Sequence, residues 1–320
     1  ASELISKIDV LHAFAVVARE YQYTRPLVTT KDNLLIEEGR HPVVEALLTQ
    51  REFIANDVNL DTIKRQVYLI TGPNMAGKST YMRQVALITI LSQIGSFVPA
   101  KRAEISVIDK IFTRIGAADD LVGGRSTFMV EMEETCRALR EATPRSLILL
   151  DEIGRGTSTY DGIALAHAIV EYIHNTIGAK TLFSTHYHEL TTLEEELPRL
   201  VNVHAKCIEK NEKVVFLHRI VPGGADRSYG IYVAELAGIP TEVIEKAKGY
   251  LLNLENQSHG IRVVSEQINL FACAKEEPEE YIATSKEERE ILEKIQSWDL
   301  LSKSPLDAMM FLSEIQTQLK

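Results

Sequence analysis

The run Val67-Tyr68-Leu69-Ile70-Thr71-Gly72-Pro73-Asn74-Met75-Ala76-Gly77-Lys78-Ser79 decides the fold. It opens on a short, continuous apolar stretch, Val67 to Ile70, the pattern of a strand buried in a parallel sheet. Gly72 to Ser79 match G-x-x-x-x-G-K-[ST], and a helical pattern follows from Ser79 to about Ile94, closed by Gly95. Strand, glycine-rich turn and helix in that order form a phosphate cradle, the P-loop. The glycines let backbone N–H groups curl around phosphate oxygens, and the helix N-terminus adds its positive end. In such a loop Lys78 neutralises phosphate charge and the Ser79 hydroxyl ligates Mg²⁺. The expected ligands are ATP or ADP with Mg²⁺.

Working outward, a second apolar strand, Leu147-Ile148-Leu149-Leu150, ends on Asp151-Glu152. A carboxylate at the end of a buried strand is costly unless it has a task. Asp151 fits a Mg²⁺ partner, direct or through water. Glu152 fits the catalytic group that orients and activates the attacking water. A third apolar strand, Thr181-Leu182-Phe183-Ser184, leads to His186, which is placed to contact a γ-phosphate at the strand ends. His186 and His188 form an H-x-H pair with no third metal ligand in sequence nearby, so a metal site is not expected there.

Strands alternating with helices predict an α/β sheet covered on both faces. Residues 1–24 read as helix, with Leu4, Ile8, Leu11, Ala15 and Ala18 at helical spacing and no cap in front of them. Residues 33–70 read as strand-rich, in the segments LLIEEG, HPVVEA and FIANDVNL. More strand is expected at 105–115, then a helix over about 128–142 with Met129, Met132, Cys136 and Leu139 on one face. A further helix spans about 161–177, and residues 201–208 and 214–220 form an antiparallel hairpin. Two helices follow over 229–256, split by Gly238-Ile239-Pro240. Residues 257–288 are polar and acidic, as in a flexible linker, and 289–320 read as a short amphipathic tail.

Composition narrows the classes. The 320 residues are 45% apolar and 25% charged, which suits a globular chain with a sizeable core. No apolar run approaches the roughly 20 residues of a membrane helix. Cys136, Cys207 and Cys273 lie far apart, which fits a reducing cytosol. The formal net charge of -10 argues against a chain that grips DNA phosphates over its own surface.

Three further segments join the P-loop. Gly123-Gly124-Arg125-Ser126-Thr127-Phe128-Met129-Val130-Glu131-Met132 stands ahead of the Asp151 strand. Asp151-Glu152-Ile153-Gly154-Arg155-Gly156-Thr157-Ser158-Thr159-Tyr160-Asp161-Gly162 continues from that strand, and Ser184-Thr185-His186-Tyr187-His188-Glu189-Leu190 from the next. Together with TGPNMAGKSTYMRQ, they closely resemble the ATPase domain of the MutS family of DNA mismatch-repair proteins, over about residues 1–256. The resemblance implies a P-loop NTPase of the ABC ATPase type: a mainly parallel sheet with flanking helices, then a helix-turn-helix and a helical tail. It implies a remnant of a helical core or lever over 1–30, an ATPase domain over 31–224 and a dimerisation helix-turn-helix over 225–256. The acidic linker at 257–288 and the tail at 289–320 complete the division.

In that family two domains sandwich ATP. The resemblance therefore implies nucleotide binding by Gly72, Pro73, Asn74, Met75, Ala76, Gly77, Lys78, Ser79 and Thr80, with Ser126 serving the partner's nucleotide in trans. Phe53 and Ile54 would lie against adenine, with His218 on its other face. Lys78, Glu152 and His186 would be catalytic, and Ser79 and Asp151 would hold Mg²⁺. Glu235, Glu242 and Glu245 would repel a phosphate backbone, so the helix-turn-helix is expected to contact a second subunit rather than DNA.

The implied partners are a homodimer, a tetramer formed through the tail, and MutL. Gln267-Ile268-Asn269-Leu270-Phe271 resembles the Q-x-x-L-F peptide that docks on the bacterial sliding clamp. Mismatched DNA would be held only by domains this chain lacks, and the expected setting is the bacterial cytosol or nucleoid, with no membrane partner. A transport ATPase would show an LSGGQ-like motif where this chain reads GGRSTF. A purely scaffolding role fits poorly with intact Lys78, Ser79, Asp151 and Glu152.

Overall fold

The computed structural model describes residues 2–48, 52–73, 75–116, 126–210, 213–224, 229–264 and 311. The chain opens with α1 (Ser2–Glu20), β1 (Leu27–Thr29), β2 (Leu34–Gly39), α2 (Pro42–Leu47) and β3 (Asn56–Leu60). Next come β4 (Val67–Thr71), α3 (Lys78–Gln93), β5 (Arg102–Ser106), β6 (Ile111–Arg114) and α4 (Thr127–Glu141). The series continues with β7 (Leu147–Asp151), α5 (Thr159–Tyr172), β8 (Lys180–Ser184) and α6 (Leu193–Glu196). It closes with β9 (Leu200–Lys210), β10 (Lys213–Pro222), α7 (Gly230–Leu236) and α8 (Thr241–Val264).

Six strands form the larger sheet in the order β10-β9-β4-β8-β7-β6. All neighbours in it pair in parallel except β10 and β9, which form the expected hairpin. The apolar strands read from the sequence lie at its centre, where both faces are covered. Side chains alternate between those faces. Leu147, Leu149 and Leu182 face α3, whose Tyr81, Met82, Val85 and Ile88 fill the layer. Ile148, Leu150 and Phe183 face the opposite way, against Ala166, Ile169 and Val170 of α5. Each such fully buried Leu, Ile or Phe contributes about 1.5–3 kcal/mol.

The covering of the first face departs from a simple helical layer. A second, mixed sheet of four strands, in the order β1-β5-β2-β3, packs there through Leu34, Ile36, Val58 and Ile105. β1 pairs with β5 in parallel, whereas β2 is antiparallel to both β3 and β5. The parallel sheet is thus one of two, and the strand signal at 105–115 splits into the end of β5 and the whole of β6.

Four local expectations need correction. HPVVEA is not a strand but the helix α2, because Pro42 stands at its first position and the His41 ring accepts from the Val44 N–H at 3.3 Å. In α4 Met132 and Leu139 of the expected face do pack against the core, but the fully buried residues are Glu131, Thr135 and Ala138, and Met129 is half exposed. The helix expected over 161–177 changes at Tyr172 into a π-helical turn, Ile173–Ile177, stopped by Gly178 in the left-handed region. The helix α8 runs to Val264, past residue 257 where the acidic linker was expected. The chain divides into two compact units, Ala1–Tyr250 and Leu251–Lys320, a boundary that falls within α8. Among the described residues no helix is long and apolar enough to cross a membrane. The docking pentapeptide Gln267–Phe271 lies outside the described residues, as does the tail apart from Phe311.

Candidate functional site

Three parallel strands, β4, β7 and β8, end side by side, and each delivers a polar segment to the same end of the sheet. β4 passes into the Gly72–Gly77 turn, and α3 starts at Lys78. Gly72 and Gly77 have φ of +123° and +96°, values that side chains disfavour. A Cβ on Gly77 would lie in contact with the His218 ring at 3.4 Å, so the backbone conformation rather than space favours glycine there. Met75 shares the left-handed conformation, with φ +70°. Asn74 lies outside the described residues.

Lys78 is 3% exposed. Its ammonium donates to the carbonyls of Gly72 at 2.6 Å and Pro73 at 3.2 Å, stapling the turn. It also lies 3.9 Å from Glu152 Oε1. Burial pulls the Lys78 pKa down, against the opposing pull of the Glu152 and Asp151 carboxylates. A buried cation at a helix N-terminus is an arrangement whose charge suits an anion.

Asp151 closes β7 opposite Ser184, whose hydroxyl donates to Asp151 Oδ1. Glu152 follows with φ +57°, left-handed for a residue with a side chain. Its N–H donates to the Ser184 carbonyl at 3.0 Å. His186 Nε2 stands 2.5 Å from Glu152 Oε1, and Arg155 donates to Oε2 at 2.6 Å. Burial alone would raise the Glu152 pKa. The bond to His186, with the charges of His186, Lys78 and Arg155, outweighs it and holds the carboxyl at about 2. Glu152 is therefore ionised across the physiological range.

Two cavities flank the turn and share Pro73. The larger, about 820 Å³, is lined by Phe53, Ile54, Met75, Ser79, Thr80 and His218. The smaller, about 420 Å³, is lined by Gly72, Glu152, Arg155, His186, His188 and Tyr229. The structure thus brings the expected adenine-side residues to one face of the turn and the expected catalytic carboxylate and histidine to the other, with Lys78 reaching across. Ser126 lines neither cavity. It caps α4, its hydroxyl accepting from the Met129 N–H at 3.1 Å.

Sequence reasoning passed over Asn56. This buried residue of β3 donates to the His218 carbonyl at 2.9 Å and accepts from the Ile220 N–H at 2.7 Å. It thereby fixes the bulge in β10 that gives His218 a φ of +51°. Nothing in the pattern FIANDVNL marks that role. Arg155 was visible in its motif, but its bond to Glu152 was not. Ser79 and Asp151 offer oxygen ligands, the donor type Mg²⁺ takes alongside water and phosphate.

A family model described as MutS domain V matches residues 68–255. The DNA mismatch repair protein MutS of Brevibacillus brevis is 56% identical over 329 residues, covering 100% of this chain and 38% of the relative. That of an Exiguobacterium species is 56% identical, covering 99% of this chain and 37% of the relative. That of a Geobacillus species is 54% identical, covering 100% and 38%. The chain thus spans less than two fifths of the length of the curated relatives it matches.

Proposed function

The chain belongs to the MutS family of DNA mismatch repair proteins, and from that premise we propose that it binds and hydrolyses ATP as the motor domain of such a protein. The observation that carries this reading is the cluster of Lys78, Glu152 and His186 at the ends of three parallel strands, between the two cavities. In an open α/β sheet, ligands sit beyond the carboxyl ends of the strands. The fold of this reading is a P-loop NTPase of the ABC ATPase type.

Phe53, Ile54 and His218 hold the base in the larger cavity. The Gly72–Thr80 turn holds the phosphates, its Asn74 by family resemblance alone. Ser79 and Asp151 would hold Mg²⁺. When bound, the ion would supply charge neutralisation for the phosphates. Lys78 offsets negative charge on the terminal phosphate. Glu152, ionised and fixed by His186 and Arg155, accepts a hydrogen bond from the attacking water and aims it. Its neighbours keep it ionised, so it is ready to accept a hydrogen bond from that water. His186 orients Glu152 and reaches toward the terminal phosphate.

Ser126 is supported as a residue acting in trans. Its hydroxyl accepts a bond within α4 and keeps its own proton for an outside acceptor, and it lines neither cavity of its own chain. The reading therefore includes a homodimer that sandwiches two nucleotides, biased between two states by the nucleotide bound. Mismatch signalling through MutL, clamp docking through Gln267–Phe271, tetramers through the tail and a cytosolic setting belong to the same proposal. So does contact with mismatched DNA through domains beyond this chain. An ABC-type ATPase of another repair or transport system is the less favoured alternative, since the relatives are named as mismatch repair proteins.

The test is titration of Mg²⁺–ATP with steady-state hydrolysis, comparing the chain with its Lys78→Ala and Glu152→Gln variants. Loss of binding in the first, and loss of turnover with binding intact in the second, is the expected result. Tight ATP binding by Lys78→Ala would overturn the assignment.

A further inference from the structure

Gly154 lies two residues beyond Glu152, and side chains from two other elements hold its peptide groups. Its N–H donates to Glu131 Oε1 at 2.7 Å. Its carbonyl accepts from the Tyr187 hydroxyl at 2.9 Å. Glu131 is buried on α4, and its other oxygen stands 3.9 Å from Arg114 Nη2. Arg114 is also shared with Glu134 at 3.4 Å and with the Gly116 carbonyl at 2.6 Å. The short bond to a backbone N–H is thus the closest interaction of a buried carboxylate.

Packing closes the same turn. A Cβ on Gly162 of α5 would overlap the Tyr187 hydroxyl and come within 2.5 Å of the Gly154 carbonyl. A Cβ on Gly156 would meet Phe128 of α4 at 2.8 Å. Glu152 at φ +57° carries strain on the order of 1–3 kcal/mol, which persists only where the surroundings over-determine it. Burial, with the Glu131 and Glu189 carboxylates, pushes the Tyr187 phenol up, so it keeps its donor proton at neutral pH.

We propose that Glu131 and Tyr187 are positioning residues for the hydrolysis. Gripping Gly154 from both sides, they hold the turn that keeps Glu152 in its left-handed conformation with its carboxylate on the nucleotide side. The inference rests on the ATPase reading of this site. Glu131 and Ser126 lie on the same helix, so one hydrogen bond also ties the start of α4 to the Glu152 turn.

The test measures steady-state hydrolysis of Mg²⁺–ATP by the full chain and, without nucleotide, hydrogen exchange over residues 152–158. Glu131→Ala should raise exchange at Gly154 by at least about tenfold. It should lower kcat by at least about tenfold with KM within about twofold. Glu131→Gln keeps an oxygen for the Gly154 N–H and should bring both to within about threefold of the parent. Tyr187→Phe should lower kcat by roughly threefold or more at constant KM, and carries the test alone should Glu131→Ala not fold. Glu134→Gln loosens Arg114 without touching Gly154 and should change neither readout. The proposal is overturned if Glu131→Ala or Tyr187→Phe keeps the parent's kcat and exchange, if Glu131→Gln is as defective as Glu131→Ala, or if kcat and nucleotide affinity fall together. A parent chain that hydrolyses no ATP sinks the ATPase reading alone, and the exchange measurement still decides the grip on Gly154.

Discussion

The turn at Glu152 and the start of α4 at Ser126 both carry residues assigned to one reaction, and they are built in opposite ways. Glu152 has its N–H, both carboxylate oxygens and the following glycine peptide engaged by other parts of the same chain. Ser126 is exposed, caps only its own helix and faces no cavity that Lys78 lines. A group that must be aimed to a fraction of an ångström is over-determined from within. Under the proposed reading, a group whose target lies on another copy is left free to meet it. Incompleteness at Ser126 is therefore as informative as completeness at Glu152.

The comparison breaks first at Lys78. A hydrogen bond between charged groups is worth about 1.5–3 kcal/mol, so Lys78→Ala should weaken Mg²⁺–ATP binding by up to about a hundredfold in a calorimetric titration. Glu152→Gln should lower kcat by roughly 10²- to 10³-fold while the nucleotide stays bound, as single-turnover kinetics would record. Its folded-state pKa of about 2, against 4.5 for a free carboxyl, adds an acid-stability signature. The stability gained, on the order of 3 kcal/mol at most, is complete above pH 4.5 and lost as pH falls toward 2. The stability advantage of the parent over Glu152→Gln should shrink across that window in acid-unfolding curves.

Smaller effects sharpen the contrast. Asn56→Ala leaves the bulge at His218 without its bridging amide, at a cost of about 1–3 kcal/mol, measurable in urea, with weaker nucleotide binding. Ser126→Ala should lower turnover by about tenfold and stability by only about 1 kcal/mol, the usual loss of an N-cap. A dimer mixed from Lys78→Ala and Ser126→Ala chains should recover about half of the parental sites if Ser126 acts across the interface. No recovery in that mixture would return Ser126 to its own chain.

Much of this was legible in the sequence because the residues concerned obey local rules. The runs at 67–70, 147–150 and 181–184 read as strands because burial on both faces leaves few polar side chains in them, Thr181 and Ser184 among the exceptions. Gly72–Ser79 read as an anion turn because its glycines and its following helix are adjacent. HPVVEA misled because Val43 and Val44 favour strands, whereas Pro42 and the His41 cap settle the matter for a helix. Glu131 stayed invisible for another reason. It sits in a helix beside Glu133 and Glu134, and a buried carboxylate among solvated ones looks like its neighbours until the Gly154 N–H arrives from 23 positions away. Asn56 is hidden likewise, since its partners lie more than 160 positions along the chain.

The order of strands carries a consequence for how the molecule is made. Among the described residues β4, which feeds the Lys78 turn, pairs only with β8 and β9, so Val67 waits for Thr181 and Leu200. On a ribosome releasing about 5–20 residues per second, that strand spends several seconds with both edges bare. Pairings so distant along the chain are slow to form and exposed to aggregation in the interval. The cavities beside the Lys78 turn therefore come into being only in the finished sheet, and a ligand that binds there would also stabilise the correctly folded chain.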